Sequence, residues 1–115
     1  MSKYMLVLHE TPRDFAQMSP EDMQHIIARY RAWAKGLADK GQLVSGHKLR
    51  EEGGKVLSKR DGSLRVSDGP YAEAKEVVGG FFIVEAADYS EAVALASACP
   101  HAQYGRIEVR EVQPT

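Results

Sequence analysis

The order of the predicted elements, strand–helix–strand–strand–helix–strand, indicates an α+β domain with one antiparallel sheet and two helices. Three observations support this class. Two segments join a helix N-cap to apolar residues at helical spacing, four segments are rich in β-forming residues, and a glycine turn joins two further short strands. The chain has no repeat or linker, so we expect a single domain over residues 1–115.

The four main strands follow from runs of β-forming residues. They are predicted at Lys3–His9, Leu43–Leu49, Val77–Ala86 and Arg106–Val112. The first and third are apolar on both faces, which is typical of central strands that are covered on both sides. The last alternates between apolar and charged residues, as expected of a strand with one exposed face.

Both helices carry start and stop signals. Ser19 is the predicted N-cap of the first helix, Pro20 occupies its first turn, and Gly41 follows its last residue. Asp88 is the predicted N-cap of the second helix, which Pro100 ends.

Between the second and third main strands, Lys55–Ser67 predicts a β-hairpin around Asp61-Gly62. With this hairpin treated as an insertion, the order is βαββαβ, a ferredoxin-like unit. Its two helices can cover only one face of the sheet, and the other face also carries apolar residues. We therefore expect two copies to pack face to face as a homodimer.

Composition limits the possible function classes. The chain has 43% hydrophobic residues, 27% charged residues and a net charge of −1. Without a basic stripe or a long apolar run, neither nucleic acid nor a membrane is an expected partner. The N-terminus lacks signal-peptide features and Cys99 is the single cysteine, so a cytoplasmic location is expected. Cys99 itself is interpreted as a small buried hydrophobe.

The four histidines show no metal-site spacing, so neither a metal nor another cofactor is expected. His25 lies on the outer face of the first helix and should be solvated. His101 follows a proline in a loop, where a surface position is expected. His9 and His47 lie near strand ends, where they are candidate site residues, although structural hydrogen bonding is the commoner role there.

The run Asp68-Gly69-Pro70-Tyr71-Ala72-Glu73 has two interpretations. In the structural one, Asp68 caps a tight turn that the proline continues. In the functional one, the turn holds Asp68, Tyr71 and Glu73 at the mouth of a pocket.

Two other groups are ambiguous. Glu108 and Arg110 share a face of the last strand, where they form either a structural ion pair or, through Arg110, a clamp for an anionic substrate. Tyr30 and Trp33 are predicted core residues, although either could line a cavity between helix and sheet.

The Asp68 run, the following Gly79-Gly80-Phe81-Phe82 and the closing Tyr104-Gly105-Arg106-Ile107-Glu108-Val109-Arg110 resemble the DGPF group of the YCII-related family. The similarity extends to the opening Lys3-Tyr4-Met5-Leu6-Val7. The resemblance implies a dimeric α+β barrel. Shorter members carry a histidine in the first helix that pairs with an aspartate, whereas this chain has Tyr30 at the aligned position. That dyad is therefore not transferred.

The leading hypothesis is a homodimer that binds a small polar metabolite in a cleft and performs cofactor-independent acid–base chemistry. His9 or Asp68 would act as the base, Arg110 would orient the substrate, and the substrate-binding set is completed by His47, Tyr71 and Glu73. The alternative, which the resemblance permits because relatives of the DGPF group are often encoded beside or fused to sigma factors, is a non-catalytic interaction module with a regulatory protein partner, linked to transcription. A third possibility is a dimer whose turn motif serves folding alone.

Overall fold

A computed structural model describes residues 1–11, 18–69 and 76–115. The strands are β1 (Ser2–Glu10), β2 (Leu43–Lys48), β3 (Lys55–Arg60), β4 (Ser63–Asp68), β5 (Val77–Ala86) and β6 (Arg106–Glu111). The helices are α1 (Pro20–Asp39) and α2 (Tyr89–Ser97), and a 3₁₀ turn covers Pro100–Gln103. None of the helices within these ranges is long and apolar enough to cross a membrane.

The predicted helix caps of α1 are confirmed. The Ser19 hydroxyl accepts a hydrogen bond of 3.1 Å from the backbone N–H of Asp22. At the other end Gly41 adopts a left-handed φ of 72°, and the N–H of Gln42 bonds to the Leu37 carbonyl at 2.9 Å. Glycine adopts this conformation without steric cost. The resulting turn satisfies the last carbonyls of α1 and directs the chain towards β2.

The second helix begins as the sequence predicts. The Asp88 carboxylate accepts a 2.9 Å hydrogen bond from the N–H of Glu91, and the Glu91 carboxylate accepts one of 3.1 Å from the N–H of Ala87. These two bonds fix the point at which the chain leaves β5.

The main sheet has the antiparallel order β2-β5-β1-β6, and both helices lie on one face of it. The predicted α+β, ferredoxin-like architecture is confirmed. Trp33 of α1 packs edge to face on Phe82 of β5, with ring centroids 4.9 Å apart. The buried core beneath the helices consists of Tyr4, Leu6, Leu37, Val84, Ala86, Ala92 and Ala96.

No described helix or strand covers the opposite face of the main sheet. It carries the half-buried apolar side chains of Met5, Val7, Phe81 and Ile83, from the two central strands. Alternation along β1 places these residues opposite the fully buried ones.

Strands β3 and β4 form a separate two-stranded sheet. Asp61 and Gly62 both have positive φ, 52° and 78°, as a type I′ turn requires. At the base of the hairpin the N–H of Gly69 bonds to the Gly54 carbonyl at 3.0 Å, and Lys55 pairs with Asp68.

A cavity between the first helix and the sheet

A cavity of about 540 Å³ lies between the N-terminal half of α1 and the glycine-rich end of the sheet. Its walls are largely apolar and its polar groups are few, which is the usual composition of small-molecule sites. The apolar side chains that line it are Leu8, Met23, Ile26, Ile27 and Phe82. The polar residues at its edge are Glu10, Tyr30, Arg31, His47, Lys48, Glu51 and His101.

Three glycines of the sheet line the cavity beneath α1. Gly46, Gly79 and Gly80 all contribute to its lining. A Cβ at Gly79 would overlap the carboxylate of Glu10, and one at Gly46 would overlap the ring of Phe82. Gly79 therefore gives the Glu10 side chain the space that it occupies.

Glu10 is the buried acid of this cavity, with only 10% of its side chain exposed. Its Oε1 atom lies 3.5 Å from Nζ of Lys48, whose side chain is 63% exposed. The Lys48 ammonium also donates to the carbonyls of Leu49 at 3.0 Å and Gly79 at 3.1 Å. Because an anchored ammonium lies beside a nearly buried carboxylate, charge of both signs is available at the cavity edge.

Tyr30 and His101 form the second polar pair. The Tyr30 hydroxyl lies 2.7 Å from Nδ1 of His101, and Nε2 of His101 lies 2.8 Å from the backbone carbonyl of His9. A carbonyl can only accept, so we assign the imidazole proton to Nε2. With the proton on Nε2, Nδ1 accepts a hydrogen bond from the Tyr30 hydroxyl, which leaves the phenol oxygen able to accept a hydrogen bond from a ligand.

The pair is held by close packing. Burial raises the pKa of Tyr30, with a smaller contribution from the nearby Cys99, so the phenol stays protonated at neutral pH. A Cβ at Gly105 would overlap the His9 carbonyl oxygen and lie 2.8 Å from Nε2 of His101. The glycine of the Tyr104-Gly105 segment therefore permits the contact that fixes the imidazole.

His101 corrects one sequence expectation. A surface position was predicted from its place after Pro100, but the residue is buried and 3% exposed. The 3₁₀ turn carries it back under α1, where both ring nitrogens are bonded. His25 is exposed and Cys99 is buried, as predicted, and burial raises the pKa of the Cys99 thiol.

Glu10 was missed as a site residue, although a sequence signal exists. The buried, helix-facing positions of β1 are the even-numbered residues Tyr4, Leu6 and Leu8, and Glu10 continues this series. A carboxylate in a core-facing register is unusual and often functional.

The predicted base His9 lies on β1, and its side-chain partner is on the uncovered face of the sheet. Its Nε2 atom is 3.0 Å from Oε1 of Glu108, and Arg110 lies 3.9 Å from the other oxygen of that carboxylate. The hydrogen bond from His9 is the main reason that the pKa of Glu108 is lowered, with the charges of His9 and Arg110 adding to it. His9 and Arg110 thus meet through Glu108, in a charged cluster outside the cavity.

Asp68, the other predicted base, lies at the base of the hairpin with 82% of its side chain exposed. Within the described residues its ion-pair partner is Lys55, and no hydrogen bond or ion pair joins it to His9. The predicted ligands Tyr71 and Glu73 lie outside the described residues. His47 lines the cavity, while its ring packs against Phe81 with centroids 5.7 Å apart.

Across the described ranges no cluster of three or more histidine, cysteine or acidic side chains is arranged to hold a metal ion. The groups described above are the Glu10 carboxylate, the Tyr30 phenol oxygen and the Lys48 ammonium. These groups can take a proton, accept a hydrogen bond and balance a negative charge.

Comparison with known proteins gives a family and a fold. A family model described as the YCII-related domain matches residues 2–115. No protein with a curated description matches the sequence. Among solved structures, the chain is similar to the 5-chloro-2-hydroxyhydroquinone dehydrochlorinase of Burkholderia phenoliruptrix AC1100, in complex with 2,5-dihydroxybenzoquinone. That likeness has a TM-score of 0.57 at 15% identity and covers 98% of this chain and 95% of the other.

Proposed function

The chain belongs to the YCII-related family, and from the geometry of its cavity we propose that it binds a small molecule between α1 and the sheet and performs proton transfer on it. The observation that carries the proposal is the buried Glu10 carboxylate, which faces an apolar cavity beside an anchored Lys48. A site of this kind holds the apolar body of a ligand and presents few polar groups to it.

The residues that line the cavity indicate the class of ligand. The walls favour a compact apolar body, and the Glu10 carboxylate and Tyr30 oxygen both accept hydrogen bonds. We therefore propose a small hydroxylated compound whose acidic proton faces Glu10. The similar dehydrochlorinase, solved in complex with 2,5-dihydroxybenzoquinone, supports this class because a protein of the same fold binds a small hydroxylated ring.

The proposed chemistry needs no cofactor. Glu10 takes a proton from an O–H, or from a C–H acidified by a neighbouring carbonyl, and becomes a carboxylic acid. The negative charge left on the ligand oxygen faces the Lys48 ammonium, which stabilises it electrostatically. Tyr30, held by His101, orients the ligand hydroxyl.

The residues proposed to act differ from those predicted from the sequence, whereas the reaction type, cofactor-independent acid–base chemistry, is the same. His9, Asp68 and Arg110 remain candidates, but Glu10, Tyr30 and Lys48 share one cavity. The predicted homodimer remains part of the proposal, because the uncovered sheet face presents Met5, Val7, Phe81 and Ile83.

The test is a thermal-shift screen of small hydroxylated and carbonyl compounds against four proteins. These are the wild type, Glu10→Gln, Tyr30→Phe and Glu52→Gln, the last being an exposed acid outside the cavity. A ligand at 100 times its dissociation constant adds about 2.7 kcal/mol to stability. We expect hits with the wild type and Glu52→Gln that weaken or vanish with the two cavity variants.

Two results would count against the proposal. Hits that persist equally in Glu10→Gln and Tyr30→Phe would put the ligand elsewhere. The absence of any hit across a broad panel would favour the alternative function, a non-catalytic regulatory module that binds a protein.

A further inference from the structure

The exposed apolar side chains of the β3–β4 hairpin lie on one of its two faces. Residues paired directly across the two strands share a face, and Leu57 pairs with Val66 while Lys59 pairs with Leu64. The apolar side chains Leu57, Leu64 and Val66 are 60%, 67% and 62% exposed. Three large apolar residues therefore lie side by side on one face with little to cover them.

The hairpin is also detached from the body of its own chain. Its strands pack mainly against each other, and no described helix or strand makes more than a marginal contact with either. An isolated two-stranded hairpin is at best marginally stable in water. The hairpin therefore needs a surface to pack on, and the described part of the chain does not supply one.

The size of the exposed surface fits a second copy of the chain as the partner. The chain exposes 8260 Å², whereas a compact monomer of 12.7 kDa exposes about 6,200 Å². The excess of about 2,000 Å² per chain is in the range that each subunit of an obligate homodimer buries. The radius of gyration, 16.1 Å, also exceeds the roughly 13 Å of a compact chain of this length.

We propose that the hairpin is a dimerisation arm whose apolar face, Leu57, Leu64 and Val66, packs on a second copy of this chain. A symmetric pair covers two arms and two open sheet faces with one interface, which matches the excess surface on each copy. The inference rests on the proposed homodimer and adds the contribution of the arm to it.

The experiment is sedimentation equilibrium of the full chain over a wide concentration range. The test variant combines Leu57→Thr, Leu64→Thr and Val66→Thr, since threonine keeps strand propensity and removes apolar surface. The matched control is Arg65→Thr, on the opposite face of the same hairpin. A third protein, Val7→Lys, places a charge on the open sheet face.

We expect the triple variant to raise the dimer dissociation constant at least about 100-fold, because three apolar side chains lose their burial. Arg65→Thr should change it less than about threefold, a difference typical of exposed positions. Hydrogen exchange should give the same result. The hairpin amides of the wild type should exchange more slowly at protein concentrations above the dimer dissociation constant. The substituted residues are exposed in the single chain, so monomer stability should be retained.

Each contrary result identifies a different failure. A wild type that stays monomeric at about 100 μM overturns both the homodimer and the arm. If Val7→Lys dissociates the dimer and the triple variant does not, the homodimer stands and the arm proposal is wrong. Neither result depends on ligand binding in the cavity, which the thermal-shift screen measures separately.

Discussion

The layer between the helices and the sheet is packed differently at its two ends. At one end Leu6 and Val84 are completely buried, and Trp33 packs on Phe82 at 4.9 Å. At the other end glycines lie beneath α1, and the space holds Glu10 and a cavity of about 540 Å³. One layer thus contains a close-packed core and a largely apolar hollow that holds the Glu10 carboxylate, and the same strands build both.

The difference lies in which residues face α1. Close-packed interiors leave few voids larger than water, so a hollow of this size requires a local cause. Here the lining includes Gly46, Gly79 and Gly80, which carry no side chain that could fill the hollow. Substitutions at the packed end should therefore act on stability, and substitutions at the hollow end on binding.

The largest effect should come from the packed end. Leu6→Ala removes a side chain with no exposure, so we expect unfolding to become easier by about 2–5 kcal/mol. Ile27→Ala at the hollow end removes a side chain that is already 42% exposed and should cost about 1 kcal/mol. Urea denaturation of both variants measures the contrast. Equal losses would show that the two ends are packed alike.

The next largest effect should come from Gly79→Ala, because the added Cβ overlaps the Glu10 carboxylate. We expect a stability loss of about 1–3 kcal/mol, accompanied by loss of ligand binding. Gly36→Ala is the matched control, since a Cβ there meets nothing within 4 Å. In a helix interior that change should stabilise by about 0.5–1 kcal/mol. If Gly79→Ala binds the ligand as tightly as the wild type does, the position assigned to Glu10 is contradicted.

Tyr30→Phe should have a smaller effect on stability. It removes the donor to Nδ1 of His101, at a cost of about 1 kcal/mol, and it should weaken ligand binding. Tyr89→Phe removes a comparable hydroxyl contact, the 2.8 Å bond from the N–H of Glu111, and lies outside the cavity. Calorimetry of both variants with the same ligand distinguishes them. A matching loss of affinity in Tyr89→Phe would point to a general effect of lost stability.

The smallest effect should come from Glu76, which lies outside the helix-covered layer. A bidentate contact with Arg106 lowers the pKa of Glu76 below its ordinary 4.5. Its stabilisation is therefore present above about pH 4.5 and is lost as the pH falls through the lower, folded value. Glu76→Gln should lower the melting temperature slightly at pH 7, and the difference from wild type should shrink towards pH 3. A difference that grows on acidification would contradict this sign.

Much of the framework could be predicted from local chemistry. Ser19 and Asp88 are caps in the structure as in the sequence, because a cap depends on residues within one helical turn. The strand bounds of β5 also agree, since alternation and β-forming residues are local signals.

The cavity could not be predicted in the same way. It depends on the bulge between Leu8 and His9, on the glycines of two strands and on a 3₁₀ turn that buries His101. Each of these is set by tertiary contacts. The turn at Asp68 has an unusual composition, yet composition alone does not fix where a turn lies relative to a cavity.

The most direct test compares the two sites with one ligand. The first hydroxylated compound found by the screen should be titrated by calorimetry into the wild type, Glu10→Gln and Asp68→Asn. We expect Glu10→Gln to weaken binding at least about tenfold, roughly the value of a lost charge-assisted hydrogen bond, and Asp68→Asn to bind like the wild type. The reverse, with binding intact in Glu10→Gln and lost in Asp68→Asn, would contradict the cavity as the site and favour the turn.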